Sequence, residues 1–126
     1  MEDSTQFRNK GLKRILLATI YSMDGLIAAI KNEAAFRQEV MLSVALIPVA
    51  VWLHPGFLAF CLLVGSLLLL MIVELLNTGI ETAIDYLSIE VHPLAKLAKD
   101  YGSAAVFISL VNVGLVWGFY LWDHFV

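Results

Sequence analysis

Glu74, Asn77, Glu81 and Asp85 follow one another at intervals of three, four and four residues. At 100° per residue these positions fall within an arc of about 80°, so on a helix two glutamates, an amide and an aspartate form a single stripe. The segment follows directly on an uncharged stretch long enough to cross a bilayer. An ionisable residue at membrane depth costs roughly 2.5–3.5 kcal/mol on insertion scales, so such a stripe requires partners, a wet cavity or a bound cation. Two further polar clusters accompany it. Asn32-Glu-Ala-Ala-Phe-Arg-Gln-Glu39 places Glu33 and Arg37 four residues apart, a spacing that also suits a plain helix salt bridge. Lys96, Lys99, Asp100 and Ser103 follow helical i, i+3, i+4, i+7 spacing and share a face.

Carboxylates from separate helices, an amide and lysines are the parts that metal-assisted phosphoryl transfer needs. Magnesium prefers oxygen ligands, often one or two carboxylates completed by substrate phosphates. Lysine or arginine offsets phosphate charge, and a further carboxylate can take the proton of an attacking hydroxyl. The same residues equally suit a small proton- or cation-coupled membrane transporter, and residue chemistry alone leaves the two open. A purely structural assembly protein would leave the cost of the membrane carboxylates unexplained. There is no G-x-x-x-x-G-K-[ST] segment and no G-x-G-x-x-G loop, so any nucleotide site is built from helix faces. No Cys/His cluster suits a transition metal.

The elements that must position these groups follow from composition. The 126 residues are 60% hydrophobic and 15% charged, with a mean hydropathy of +0.84, which reads as a one-domain (1–126), all-α integral membrane protein. No charge occurs from Val40 to Val73, and Pro55-Gly56 divides that stretch; a third uncharged stretch runs from Tyr101 to Trp122. At 1.5 Å per residue, about 20 residues cross the hydrocarbon core. The crossings are thus expected near 34–53, 57–76 and 102–122, within helices of about 34–53, 57–84 and 98–122. Ahead of them, about 7–31 reads as an amphipathic surface helix. Leu12, Leu16, Thr19, Ile20, Met23, Ile27 and Ile30 lie on one face, and Lys10, Lys13, Arg14, Tyr21, Asp24 and Lys31 on the other. Asn32 is placed to cap the next helix, with Glu33 at its first position. The apolar run 15–20 is too short for a signal peptide.

All eight basic residues lie in the N-terminal region or between the second and third spans. The N-terminus and the second loop are therefore expected in the cytoplasm, with His54-Pro-Gly56 and the C-terminus outside. Arg37 and Glu39 then lie at the interfacial end of the first span, and Glu74 only a few residues inside the end of the second. Glu33, Glu74 and Glu81 can meet near one height. Lys96 reads most simply as a snorkelling anchor and His92 as a solvent-exposed loop residue. Cys61 reads as an apolar filler without a disulfide partner. Gly114 and Gly118 have the spacing of a close helix approach.

Three separated segments, Asn32 to Glu39, Met71-Ile-Val-Glu-Leu-Leu-Asn-Thr-Gly-Ile-Glu81 and Ala98-Lys-Asp-Tyr-Gly-Ser-Ala-Ala-Val106, closely resemble the bacterial integral-membrane diacylglycerol kinase family. The likeness runs from Arg14 to Phe125. It implies a homotrimeric, multi-pass inner-membrane enzyme, with its N-terminus and active site cytoplasmic. Each subunit would have three transmembrane helices and a surface helix, and no nucleic-acid partner is implied. The implied reaction transfers the γ-phosphate of ATP, with Mg2+, to the hydroxyl of diacylglycerol, giving phosphatidic acid.

Carried over at matching positions, the resemblance implies Glu74 as catalytic base, Asn77 in support, and Glu33 with Glu81 as metal ligands that also meet the ATP phosphates. Arg14, Tyr21, Glu90, His92, Lys99 and Asp100 would contact the nucleotide, and Arg14, Ser22, Arg37, Glu39 and Ser103 the lipid and phosphate path. Asp24, Gly79, Tyr86 and Pro93 depart from the family's usual residues, none at a catalytic position. A polyprenol (undecaprenol) kinase is the close alternative, because that acceptor too presents a hydroxyl near the interface.

Overall fold

The computed structural model describes residues 10–87 and 92–126. Among these residues the chain is all-α, with four helices: α1 (Lys10–Asn32), α2 (Ala34–Trp52), α3 (Phe57–Leu87) and α4 (Pro93–Phe125). It divides into two compact units, Met1–Ala34 and Ala35–Val126. All four helices are long and apolar enough to cross a membrane, with α3 the most apolar and α1 the least. Leu62, Leu68, Ile72, Phe107, Ile108 and Phe119 are exposed on the second unit, an apolar exterior that water would not tolerate. The chain is a membrane protein.

The first unit is essentially α1. Its hydroxyls turn back on their own helix: Thr19 Oγ1 donates to Ile15 O (2.9 Å) and Ser22 Oγ to Ala18 O (2.7 Å). The backbone N–H of Glu33 still donates to Ala29 O (2.9 Å), so helical bonding carries one residue beyond the expected boundary. Asn32 is the last residue of α1 rather than a cap outside it, and Glu33 is the non-helical link between α1 and α2 rather than the first residue of α2.

In the second unit α2 and α3 are joined by a tight turn. His54 has φ 51° and Gly56 φ 83°, left-handed values that glycine adopts without a Cβ penalty and that His54 tolerates in a short link. His54 Nδ1 lies 2.8 Å from Trp52 O, and Phe60 N–H donates back to Gly56 O at 3.0 Å. Pro48 lies inside α2, where its missing N–H breaks the ladder once without ending the helix.

Helices α3 and α4 form the principal pairing of this unit. The apolar core sits toward the turn end: Ala50 of α2, Leu63, Leu67 and Leu70 of α3, and Val113 and Trp117 of α4. Trp117 Nε1 donates to Leu63 O at 3.1 Å, crossing from α4 to α3. Interhelical hydrogen bonds in membranes average about 0.6 kcal/mol and reach about 1.7. Trp117→Phe is accordingly expected to lower unfolding free energy in mixed micelles by roughly 0.6–1.7 kcal/mol. A circular-dichroism titration with denaturing detergent reads this change, and no loss would show that the ring's packing alone anchors α4.

Ser66 and Ser109 are buried yet bond their own helices, to Leu63 O and Val106 O, each at 2.8 Å. Past Leu70 the buried face of α3 changes character, since its next buried residues are Glu74 and Asn77.

Candidate active site

The stripe on α3 is graded from dry to wet. Glu74 (6% exposed) and Asn77 (8%) are buried, Glu81 is half-buried and Asp85 exposed. Asn77 Nδ2 donates to Glu81 Oε1 at 3.4 Å, so neighbouring members of the stripe are linked along the helix. A carboxylate accepts and an amide can donate, so this contact fixes how the Glu81 side chain lies along the helix.

Glu74 meets α2. Glu39, 8% exposed, lies within side-chain hydrogen-bond reach of Glu74, and its Oε2 is buried without a hydrogen-bond partner among the described residues. One turn along α2, Ser43 Oγ donates to Glu39 O (2.9 Å) and lies 3.9 Å from Met71 Sδ of α3, which closes the pair off from the apolar core.

Helix α4 supplies the basic side. Its first residue is Pro93, suited to a position whose N–H would be unsatisfied. His92 is the N-cap, its Nδ1 accepting from Leu94 N–H at 3.1 Å. The expected exposed loop residue is exposed, but it is also what starts the helix carrying Lys99. Lys99 Nζ pairs with Asp85 Oδ1 at 2.5 Å, bridging α4 to the wet end of the stripe. Lys96 pairs with Asp100 Oδ2 at 2.7 Å, four residues along the same helix. Lys96 is therefore an ion-pair partner rather than a lone snorkelling anchor, and adjacent Lys99 and Asp100 turn to different partners. Ser103 and Arg37 are exposed on α4 and α2.

On α1, Arg14 and Tyr21 line one surface concavity of about 400 Å³ together with Lys10, Lys13, Leu17 and Ala18. Ser22 is exposed and Glu33 half-buried in the link after α1. Glu90 lies outside the described residues. Among the described residues no three His, Cys, Asp or Glu side chains converge as a metal cage. The donors the stripe offers are carboxylate and amide oxygens, the kind magnesium takes when it keeps few protein ligands and completes its octahedron with phosphate oxygens and water.

One participant escaped the sequence reading. Gly102 of α4 is buried, and a Cβ added there would collide with Asn77 Oδ1. The available signal was a glycine inside an apolar helix one turn beyond Lys99, a position where glycine costs roughly 1 kcal/mol relative to alanine and needs a packing reason.

The arrangement pairs buried acids with an amide and, at the wet end, a lysine, as the three motifs led one to expect. Residues 20–121 match the family described as prokaryotic diacylglycerol kinase. The chain belongs to the prokaryotic diacylglycerol kinase family. The match spans the whole of α2 and α3 and contains every residue carried over from the family resemblance except Arg14. The chain is 52% identical to a diacylglycerol kinase of Pseudomonas aeruginosa over 107 residues, 85% of this chain and 87% of the relative. It is 45% identical to one of Haemophilus influenzae over 112 residues (89% and 95%), and 44% identical to one of Escherichia coli K12 over 115 residues (91% and 94%). Relatives and chain are thus of nearly the same extent.

Proposed function

We propose that the chain is an ATP-dependent lipid kinase of the bacterial inner membrane, transferring the γ-phosphate of MgATP to the hydroxyl of 1,2-diacylglycerol to give phosphatidic acid. The observation that carries this reading is Glu74, buried with Asn77 at the dry end of a stripe whose wet end is met by Lys99, in a chain of the diacylglycerol kinase family.

The lipid hydroxyl resides at headgroup level and ATP arrives from water, so the two meet where burial gives way to exposure along α3. Glu74 accepts the hydroxyl proton as the oxygen attacks in line, and Glu39 offers the neighbouring oxygen over which that proton is shared. Asn77 orients Glu81, and Glu81 with Glu33 would hold magnesium. When bound, the ion neutralises charge on the transferring phosphate. Lys99 leaves Asp85 for a phosphate oxygen, an exchange made easy by the exposure of that pair. Asp100, His92, Glu90, Arg14 and Tyr21 serve the nucleotide. Arg37, Ser22 and Ser103, with Arg14 and Glu39, lie along the lipid and phosphate path. The apolar helix walls limit attack by water.

Three crossings (α2, α3, α4), with α1 on the cytoplasmic surface, agree with the placement of the basic residues and with α1 being the least apolar helix. A homotrimer would cover part of the exposed apolar exterior and close the site around the buried acids.

The deciding experiment is transfer of radiolabel from γ-labelled ATP to diacylglycerol in lipid-containing micelles, titrated with magnesium and run beside a polyprenol acceptor. Magnesium-dependent labelled phosphatidic acid is expected; label only in the polyprenol, or none in either, would overturn the assignment. Asp85→Asn frees Lys99 without removing a nucleotide contact, so half-saturation by ATP is expected to fall by up to about fivefold. Initial rates against ATP concentration read this, and a rise would show that the nucleotide itself needs Asp85.

A further inference from the structure

Asn77 carries two facts that belong together. Its Oδ1 is buried without a hydrogen-bond partner among the described residues, while its Nδ2 donates to Glu81 Oε1. A buried amide oxygen without a donor is costly, yet exchanging the ends of the amide would set Oδ1 against the Glu81 carboxylate, so the donation to Glu81 requires a seat for Oδ1 on the α4 side. What lies against that oxygen is Gly102 of α4, at the spot where any other residue would place a Cβ. The hydrogen that glycine carries in that direction faces Oδ1, a weak Cα–H···O contact that only a bare Cα permits at this approach. Every other described glycine would accept a Cβ with no atom within 4 Å, so the close approach is particular to this crossing of α3 and α4.

We propose that Gly102 is a positioning residue for the Asn77–Glu81 pair: its bare Cα seats Asn77 Oδ1, which turns Nδ2 toward Glu81 and sets the carboxylate in the orientation that binds the cation of a nucleotide phosphate. The inference rests on the reading of Glu81 as a cation ligand made above. A methyl at position 102 displaces the carboxamide, because the colliding atom belongs to a short, buried side chain with little room to move. Glu81 then loses its orienting donor while keeping its charge. The consequence is weaker cation binding with the base Glu74 left in place, so half-saturation moves more than the maximal rate.

The test measures Mn2+ binding by electron paramagnetic resonance, in the presence of a non-hydrolysable ATP analogue, on the full chain in lipid-containing micelles. Wild type, Gly102→Ala, Asn77→Ala, the double variant and Glu81→Gln are compared, with magnesium titrations of kinase rate alongside. Gly102→Ala is expected to raise the Mn2+ half-saturation roughly tenfold, the lower end for loss of an orienting partner. In the Asn77→Ala background the collision is gone, so Gly102→Ala should add nothing. Wild-type Mn2+ binding by Gly102→Ala, or additive effects in the double variant, would overturn the proposal. Should Gly102→Ala fail to fold, Asn77→Ala must restore folding; failure of both variants alike would also overturn it, since the glycine would then serve packing in general. If Glu81→Gln leaves Mn2+ binding unchanged, the reading of Glu81 as ligand falls and the inference with it. If Glu81→Gln weakens binding while Gly102→Ala does not, only the inference falls.

Discussion

Glu74→Gln is expected to lower phosphorylation of diacylglycerol by about 10²–10⁴-fold, the span typical of a lost general base. The substitution preserves shape, and the new amide can donate to Glu39 across the α2–α3 boundary, so the buried contact stays satisfied. What disappears is the basic carboxylate that takes the hydroxyl proton. The residues proposed to meet the nucleotide and the cation are untouched by this change, so half-saturation by MgATP should stay within about twofold of wild type, as for a group that acts only in the transition state. The measurement is steady-state kinase rate in mixed micelles, with helix content and oligomer size checked by circular dichroism and size exclusion. A variant that keeps its turnover would remove Glu74 from the base role.

Glu81→Gln should act on a different parameter. The substituted side chain retains an oxygen to accept from Asn77 Nδ2, so the local geometry persists while the negative charge is lost. A neutral amide is a poor magnesium ligand, and the magnesium concentration for half-maximal rate is expected to rise by about 10–100-fold. At saturating magnesium much of the maximal rate should return, because Glu74 is intact. An unchanged metal dependence would count against ligation there. The two variants therefore separate proton acceptance from cation binding on one helix face, a distinction that activity loss alone could not make.

Much of this architecture is written in local patterns. The uncharged runs and the Pro55-Gly56 break place α2, α3 and α4 within a few residues, because crossing a bilayer demands about 20 apolar residues whatever the neighbouring helix does. The stripe from Glu74 to Asp85 follows from 3.6-residue periodicity, and the structure keeps it as one graded face. Helix ends were less legible. The boundary at Asn32 moved because the Glu33 N–H finds Ala29 O, and His92 became a cap because its ring nitrogen accepts from Leu94, outcomes of hydrogen-bond competition within one turn.

From the amino-acid order alone came an all-helical membrane protein, the face bearing its acids and the family to which it belongs, since hydropathy, periodicity and motif spacing are properties of short stretches of chain. Only the tertiary structure decided who meets whom: Lys99 turns to Asp85 and leaves Asp100 to Lys96, Glu39 comes to rest beside Glu74, and Asn77 presses its oxygen onto Gly102. These pairings depend on the register and separation of packed helices, quantities set jointly by side chains far apart in sequence and encoded in no single segment.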